Sequence, residues 1–423
     1  MFTGFYKKTR QERIDILKKV NKINEKEEQI LLENKNLDVD IAGKMAENHL
    51  GTFSLPFSVV PSMIVNGIEC TIPMVTEEPS VVAACSNASK IINKSGGFLA
   101  NVLDRKMIGQ VALYNIEDIK KAEEEIEKNY KKLIDIANDA HPSIVKRGGG
   151  VTNISQKILV EDETTFLVVY ITVDVKEAMG ANILNNMLEA LKPVLENISN
   201  GKALMGILSN YATSSLVTAK CSINVDSLHK DIEEARNIAY KMELASKFAK
   251  ADPYRAATHN KGIFNGVDAV VIATGNDWRA IEAACHTYAT KDNRYKGLST
   301  WKYDKKENKL LGEITLPLPV ATVGGSIGLN ETVKIAHNIL GNPEAKKLSE
   351  IIASVGLAQN FAALKALVSV GIQQGHMKLH AKSLALIAGA TNKEVDKVAE
   401  ELHNSKHMNL ETAKQILENI RNN

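Results

Sequence analysis

The chain of 423 residues has no run approaching the ~18 apolar residues of a membrane-spanning helix. Its first segment, Met1 to Ile30, is charged throughout and lacks the apolar stretch of a secretory leader. Cysteine is scarce and scattered: Cys70, Cys85, Cys221 and Cys285 form no CxxC. That argues against a disulfide framework or a thiolate metal site, so reduced thiols in a cytoplasmic protein and no metal are expected. Charge of one sign is also missing. With 52 basic and 50 acidic side chains, the net +2 supplies no field to recruit nucleic acid or a membrane surface. There is no GxGxxG dinucleotide turn, and no repeat or low-complexity tract.

What is present is the composition of a globular protein, 44% hydrophobic and 24% charged, at a length that implies two or three domains. Ile14 to Gly51 reads as two short helices. Leu55 to Val75, broken by Pro56, Pro61 and Asn66-Gly67, reads as strands and turns, and Pro79 opens a helix over Ser80 to Asn93. From Met107 the pattern changes to strand, charged helix, a hairpin turning at Asp162-Glu163, a helix over Asn182 to Ile198, and a strand at Leu204 to Leu208. That β-α-β-β-α-β order is ferredoxin-like. The apolar run Asp268 to Thr274 has the length of a buried strand. Near the end, Thr391 to Glu394 is a capping box opening a helix to His403, and Asn409 caps another to Ile420. The expected fold is mixed α/β (α+β). A large helix-rich domain (1–106 and 216–375) carries an inserted ferredoxin-like domain (107–215), followed by a small helical C-terminal flap (376–423).

Taken singly, the candidate functional residues are ambiguous. Lys261 and Asp277, the latter in a Gly275-Asn-Asp277 turn, read either as active-site chemistry or as a surface ion pair. Glu77 and Glu78 read equally as a solvated pair at a helix start. His376 and His380 share a helical face at i, i+4 but lack the glutamate of a zinc motif. The glycine-rich turns Gly148 to Gly150 and Val323 to Gly328 can admit an anion or be ordinary loops.

Jointly the segments are specific. Glu47-Asn-His-Leu-Gly51, Val75-Thr-Glu-Glu-Pro-Ser80, Glu177-Ala-Met-Gly-Ala-Asn182, Leu208-Ser-Asn-Tyr-Ala212, Asp252 to Asn265, Ala273 to Ala280 and Gly375-His-Met377 occur in this order. The chain thereby resembles the HMG-CoA reductases of the bacterial, membrane-free class over essentially its whole length. Two departures stand out: Glu177 where an Asp is usual, and His141 just ahead of Pro142.

The resemblance implies four-electron reduction of (S)-HMG-CoA to mevalonate and CoA with two NAD(P)H, in the mevalonate route to isoprenoids. By the same resemblance Lys261 stabilises the oxyanion, Asp277 is its hydrogen-bonded partner, Glu78 donates a proton, and His376 protonates the departing thiolate. Ser80, Arg255 and Asn265 contact the HMG portion. His141, Glu177, Met179, Gly180, Asn182 and Asn210 contact the nucleotide. With His141 in place of an acidic residue, and Lys146 and Arg147 nearby, NADPH is expected over NADH. The resemblance also implies a homodimer, or a higher oligomer built from it, with interface active sites. Two alternatives are the reverse oxidation of mevalonate with NAD and a thiolase-like acyl transfer. The second needs a histidine-activated cysteine or a nucleophilic glutamate, and none of the four cysteines has such a context.

Overall fold

The computed structural model describes residues 2–369, 372–405 and 407–422, and within the helix Ile372–Ile387 the side chains from His380 onward. Its ten strands are β1 (Phe57–Val65), β2 (Ile68–Val75), β3 (Phe98–Val102), β4 (Lys106–Tyr114), β5 (Gly150–Glu161), β6 (Thr164–Asp174), β7 (Lys202–Ser209), β8 (Leu216–Asn224), β9 (Ser299–Asp304) and β10 (Lys309–Pro317).

β4 to β7 make a separate four-stranded sheet in the order β5-β6-β4-β7, antiparallel throughout. This is the ferredoxin-like order, and it follows from the pattern of side chains. Along β4 every second residue is buried, so one face alone meets the core. That face receives Leu184, Met187, Leu188, Leu191 and Leu195 from the helix Ala181–Ser199, whose apolar stripe repeats at helical spacing. Asp162, at φ 48°, turns the β5–β6 hairpin.

The larger sheet runs β2-β1-β3-β8-β10-β9. β3 and β8 are antiparallel neighbours, Phe98 opposite Cys221 and Val102 opposite Val217. The small sheet is therefore spliced between two adjacent strands of the large one, which fixes how it hangs from it. Arg105, in the first splice, is buried. It donates to the carbonyls of Lys176, Ala178 and Val320, holding the two sheets together.

Helices Val81–Asn93, Ile232–Ala251, Pro253–Ala273 and Ala345–Val368 pack on the large sheet and on one another. The last is long and apolar enough to cross a membrane by length and composition, yet Ile351 to Phe361 are buried within the fold. A helix apolar all round is what a central core position selects.

Two expectations need correction. The N-terminal region holds three short helices, Arg10–Lys19, Glu25–Glu33 and Val39–Met45, where two were expected. The charged stretch is two helices rather than one: the first ends at Lys19, and Asn21, at φ 56°, lies in the break before Glu25. The apolar run Asp268 to Ala273 is not a strand but the end of the helix Pro253–Ala273. All of this run but Asp268 and Ile272 is buried, so its period is faint and strand and helix look alike.

At the C-terminus, helices Ile372–Ile387, Val395–His403 and Leu410–Asn422 share small cores of their own, among them Ala381, Leu402 and Ala413. Glu394 accepts from Thr391 N and Oγ1, and Asn409 Oδ1 accepts from Thr412 N at 2.9 Å.

Candidate active site

Helix Pro253–Ala273 carries three of the candidate residues. Asp252 caps it, accepting from Tyr254 N and Arg255 N, with Pro253 in the first turn. Lys261 and Asn265 stand one turn apart on the same face. Opposite them lies the short turn Thr76–Ser80, which follows β2. Here Glu78 N donates to Thr76 Oγ1 at 3.2 Å, and Ser80 adopts φ 74° before the helix Val81–Asn93 begins. Across this gap Lys261 Nζ meets Glu78 Oε2 at 2.5 Å, and Asn265 Nδ2 donates to Glu78 Oε1 at 3.1 Å. Both carboxylate oxygens are thereby engaged from one helix face. The pair is nevertheless open: the Lys261 and Glu78 side chains remain 62% and 36% exposed. Beside them Ser80 Oγ is shielded from solvent and has no hydrogen-bond partner among the described residues.

Arg255 lies on another face of the helix, half-buried. Burial lowers its pKa, and no carboxylate stands within ion-pair distance among the described residues. One turn on, His259 anchors the helix. Its Nε2 lies 2.7 Å from Ser299 Oγ and 3.2 Å from Asn360 Nδ2, and Asn360 Oδ1 accepts from Ser299 Oγ and Trp301 Nε1. Burial, then the positive charges of Arg255 and Lys250, push the His259 pKa down to about 3. It is a neutral strut, tying the Lys261 helix to β9 and to the central helix.

Asp277 is the N-cap of helix Trp278–Tyr288, accepting from Arg279 N and Ala280 N at 3.1 Å, and pairs with Arg279 Nε at 3.5 Å. It does not pair with Lys261 within this chain, whose carboxylate partner is Glu78. The Lys261–Asp277 contact is therefore not made within one chain. The turn that bears Asp277 lies beyond the end of the helix that carries Lys261, so the two side chains belong to different elements.

The nucleotide candidates gather at the start of helix Ala181–Ser199. Gly180 has φ 104°, and a Cβ there would lie 2.5 Å from Val175 Cγ1, so the position demands glycine. The helix has no side-chain N-cap, which leaves its first N–H groups open with exposed Asn182 beside them. His141 Nδ1 lies 3.4 Å from Nδ2 of Asn186, one turn beyond Asn182. Exposed Lys146 and Arg147 follow His141 in the chain. Met179 packs against the small core, and Asn210 is exposed just past β7.

Glu177 is used differently. Its Oε2 accepts from Thr322 Oγ1 and from Ala345 N, both at 2.7 Å, so it caps the central helix from a distance. The His376 side chain lies outside the described residues, while His380 is exposed. Three contributions escaped sequence reasoning: the His259 strut, the engagement of Glu177, and Asn276, whose amide grips Ala321. All three lie within the motif blocks, but each acts through a partner distant in sequence that no spacing reveals.

Comparison with known proteins gives the family. Residues 9–381 match the family model described as hydroxymethylglutaryl-coenzyme A reductase. The chain is 41% identical to the 3-hydroxy-3-methylglutaryl-coenzyme A reductase of Archaeoglobus fulgidus, covering 99% of this chain and 94% of that protein. A probable reductase of Borreliella burgdorferi is 34% identical over 91% of this chain and 89% of its own. Among solved structures, the reductase of Streptococcus pneumoniae superposes with a TM-score of 0.86 at 58% identity, over 99% of this chain and all of that one. A class II structure from the same organism, bound to NADPH in open conformations, gives 0.85 at 58% identity over 87% of this chain and 100% of that one. This chain belongs to the hydroxymethylglutaryl-coenzyme A reductase family, in its class II branch, the oxidoreductases that convert HMG-CoA to mevalonate in isoprenoid biosynthesis.

Proposed function

We propose that Lys261, Glu78, Asn265 and Ser80 form the reacting centre of an NADPH-preferring enzyme, completed by Asp277 and Arg255 from a second copy of the chain. The observation that carries this reading is the Lys261–Glu78–Asn265 cluster, a cation, a carboxyl and an amide converging on one open point. Each hydride arriving at a carbonyl carbon pushes charge onto oxygen, and Lys261 is the cation aimed there. Glu78 supplies the proton that converts alkoxide to alcohol. Ser80 Oγ, buried without a partner, suits a carboxylate oxygen of the HMG portion. His376 protonates the CoA thiolate as the hemithioacetal collapses to mevaldehyde, which is then reduced in turn.

A second copy accounts for the separation of Lys261 and Asp277. Helix Pro253–Ala273 continues about three turns past Lys261, roughly 18 Å of rise, before the turn bearing Asp277. For Asp277 to hold the ammonium, it must come from a partner. Arg255, set on a different face from Lys261, then serves the neighbouring site as a bidentate clamp on the HMG carboxylate.

For the cofactor, the uncapped helix start at Gly180 to Asn182 offers N–H groups and dipole to a pyrophosphate. His141, Lys146 and Arg147 place basic character in the stretch of chain that would meet a 2′-phosphate, and Met179 and Asn210 border the nucleotide. When bound, the reduced nicotinamide supplies the hydride, once in each of two rounds. The NADPH-bound pneumococcal relative supports NADPH binding. All four cysteines are free and buried, in keeping with a cytoplasmic enzyme.

Subunit complementation tests the reading. Lys261→Ala and Asp277→Asn chains, each inactive alone, are co-expressed. If the site is shared, each mixed dimer holds one intact site and activity returns to about a quarter of wild type. Activity that stays absent in isolated mixed dimers would show that each site is built from one chain.

A further inference from the structure

Asp277 is half-exposed at the tip of a turn, and its own hydrogen bonds only cap the helix that follows it. What holds the turn in space is its neighbour. Asn276 Oδ1 accepts from Ala321 N at 2.6 Å, and Asn276 Nδ2 donates to Ala321 O at 3.1 Å, a two-point grip on one residue's backbone. His337 Nε2, 3.1 Å from Thr274 O, braces the same turn from behind, and a Cβ on Gly275 would lie 2.9 Å from Val333 Cγ1. The turn has little room to shift.

The strip that Asn276 grips is held from its other side by the nucleotide segment. Val320 O accepts from Arg105 at 2.7 Å. Thr322 N donates to Glu177 O at 3.0 Å, and Thr322 Oγ1 donates to Glu177 Oε2 at 2.7 Å. Glu177 begins the run that ends in Gly180 and Asn182. Three consecutive residues, Val320 to Thr322, therefore join the turn carrying Asp277 to the segment assigned to the cofactor.

We propose that Asn276 and Glu177 are positioning residues that set the register between the Asp277 carboxylate and the cofactor segment by gripping this strip from opposite sides. Neither touches a reacting atom. Glu177, despite standing inside the nucleotide motif, acts through Thr322 and the Ala345 helix start rather than on the nucleotide. The inference rests on the assignment of Asp277 and of residues 179–182 made above. A site held to within a few tenths of an ångström loses turnover before affinity when its support is loosened.

The test is a double-mutant cycle on the full-length enzyme with HMG-CoA and NADPH. Asn276→Ala and Glu177→Gln are each expected to lower kcat about 10- to 100-fold, with both KM values within about threefold. The two side chains act on one strip without touching each other, so the double variant should be no more than about threefold worse than the poorer single. Glu177→Asp, which keeps the carboxylate, should recover most of the loss. Thr322→Val, which removes only a hydroxyl donor, should mimic Glu177→Gln mildly and keeps the test alive if an Asn276 variant fails to fold. Multiplying losses in the double variant, or wild-type kcat in Asn276→Ala, would overturn the inference. So would a Glu177→Gln defect confined to KM for NADPH, which would return Glu177 to direct cofactor contact. Asp277→Asn is run alongside. If it is active, the underlying site assignment fails; if it is dead while the cycle is additive, only the coupling fails.

Discussion

Lys261 and Glu78, 183 residues apart in sequence, meet at 2.5 Å, and Asn265 occupies the other oxygen of the same carboxylate. A carboxylate so held is oriented before substrate arrives, and Lys261 is held at the same point. Glu78→Gln keeps the size and much of the hydrogen bonding but cannot deliver a proton. It should lower kcat at least about 100-fold while KM for HMG-CoA changes little. Steady-state kinetics showing kcat within threefold of wild type would exclude Glu78 as the acid.

In the proposed reading cofactor choice turns on His141, set against Asn186 near the start of helix Ala181–Ser199. An acidic residue there would repel a 2′-phosphate, and imidazole does not. NADPH should show the higher kcat/KM in the wild type, and His141→Asp should shift the ratio at least tenfold toward NADH. A wild-type preference for NADH would contradict this reading of the position.

Much of the arrangement was legible in sequence because it is local. The order of strand, charged helix, hairpin, helix and strand read from Met107 onward predicts the ferredoxin-like layer, and that layer is present. The motif blocks bring Glu78, Lys261 and Asn265 to mind as a set, and they do come together. Asp268 to Ala273 is buried except at Asp268 and Ile272, so its period is faint and a helix passes for a strand. Glu177 and Asn276 bond to Thr322, Ala345 and Ala321, partners that no spacing rule reaches.

The two C-terminal histidines separate by step. Free mevaldehyde has no CoA to expel, so it bypasses the protonation assigned to His376. His376→Gln should be severely slowed with HMG-CoA yet retain much of its mevaldehyde reduction, and His380→Gln should lose little with either substrate. Equal loss of both activities in His376→Gln, with a CoA-dependent loss in His380→Gln, would reverse the assignment.

Stability should report the His259 strut. The unfolded chain takes up a proton there near pH 6.5, whereas the folded protein refuses it until about pH 3. Its folded pKa is depressed, so its contribution is intact above about pH 6.5 and is lost as pH falls toward 3. Compared with His259→Asn, the wild type should lose stability more steeply between pH 6.5 and 4.5. The difference should approach one proton, about 1.4 kcal/mol per pH unit. Parallel curves from denaturant titrations across that range would mean that His259 is not buried in its neutral form.

The role of Lys261 is tested most directly by following nicotinamide absorbance with HMG-CoA as substrate. The wild type should oxidise two NADPH for each HMG-CoA consumed. Lys261→Ala should be folded and bind HMG-CoA but turn over at least about 100-fold more slowly, since an oxyanion stabiliser is worth about 3–4 kcal/mol. A Lys261→Ala enzyme that keeps more than about a tenth of wild-type kcat, a loss below ~1.4 kcal/mol, would contradict the account.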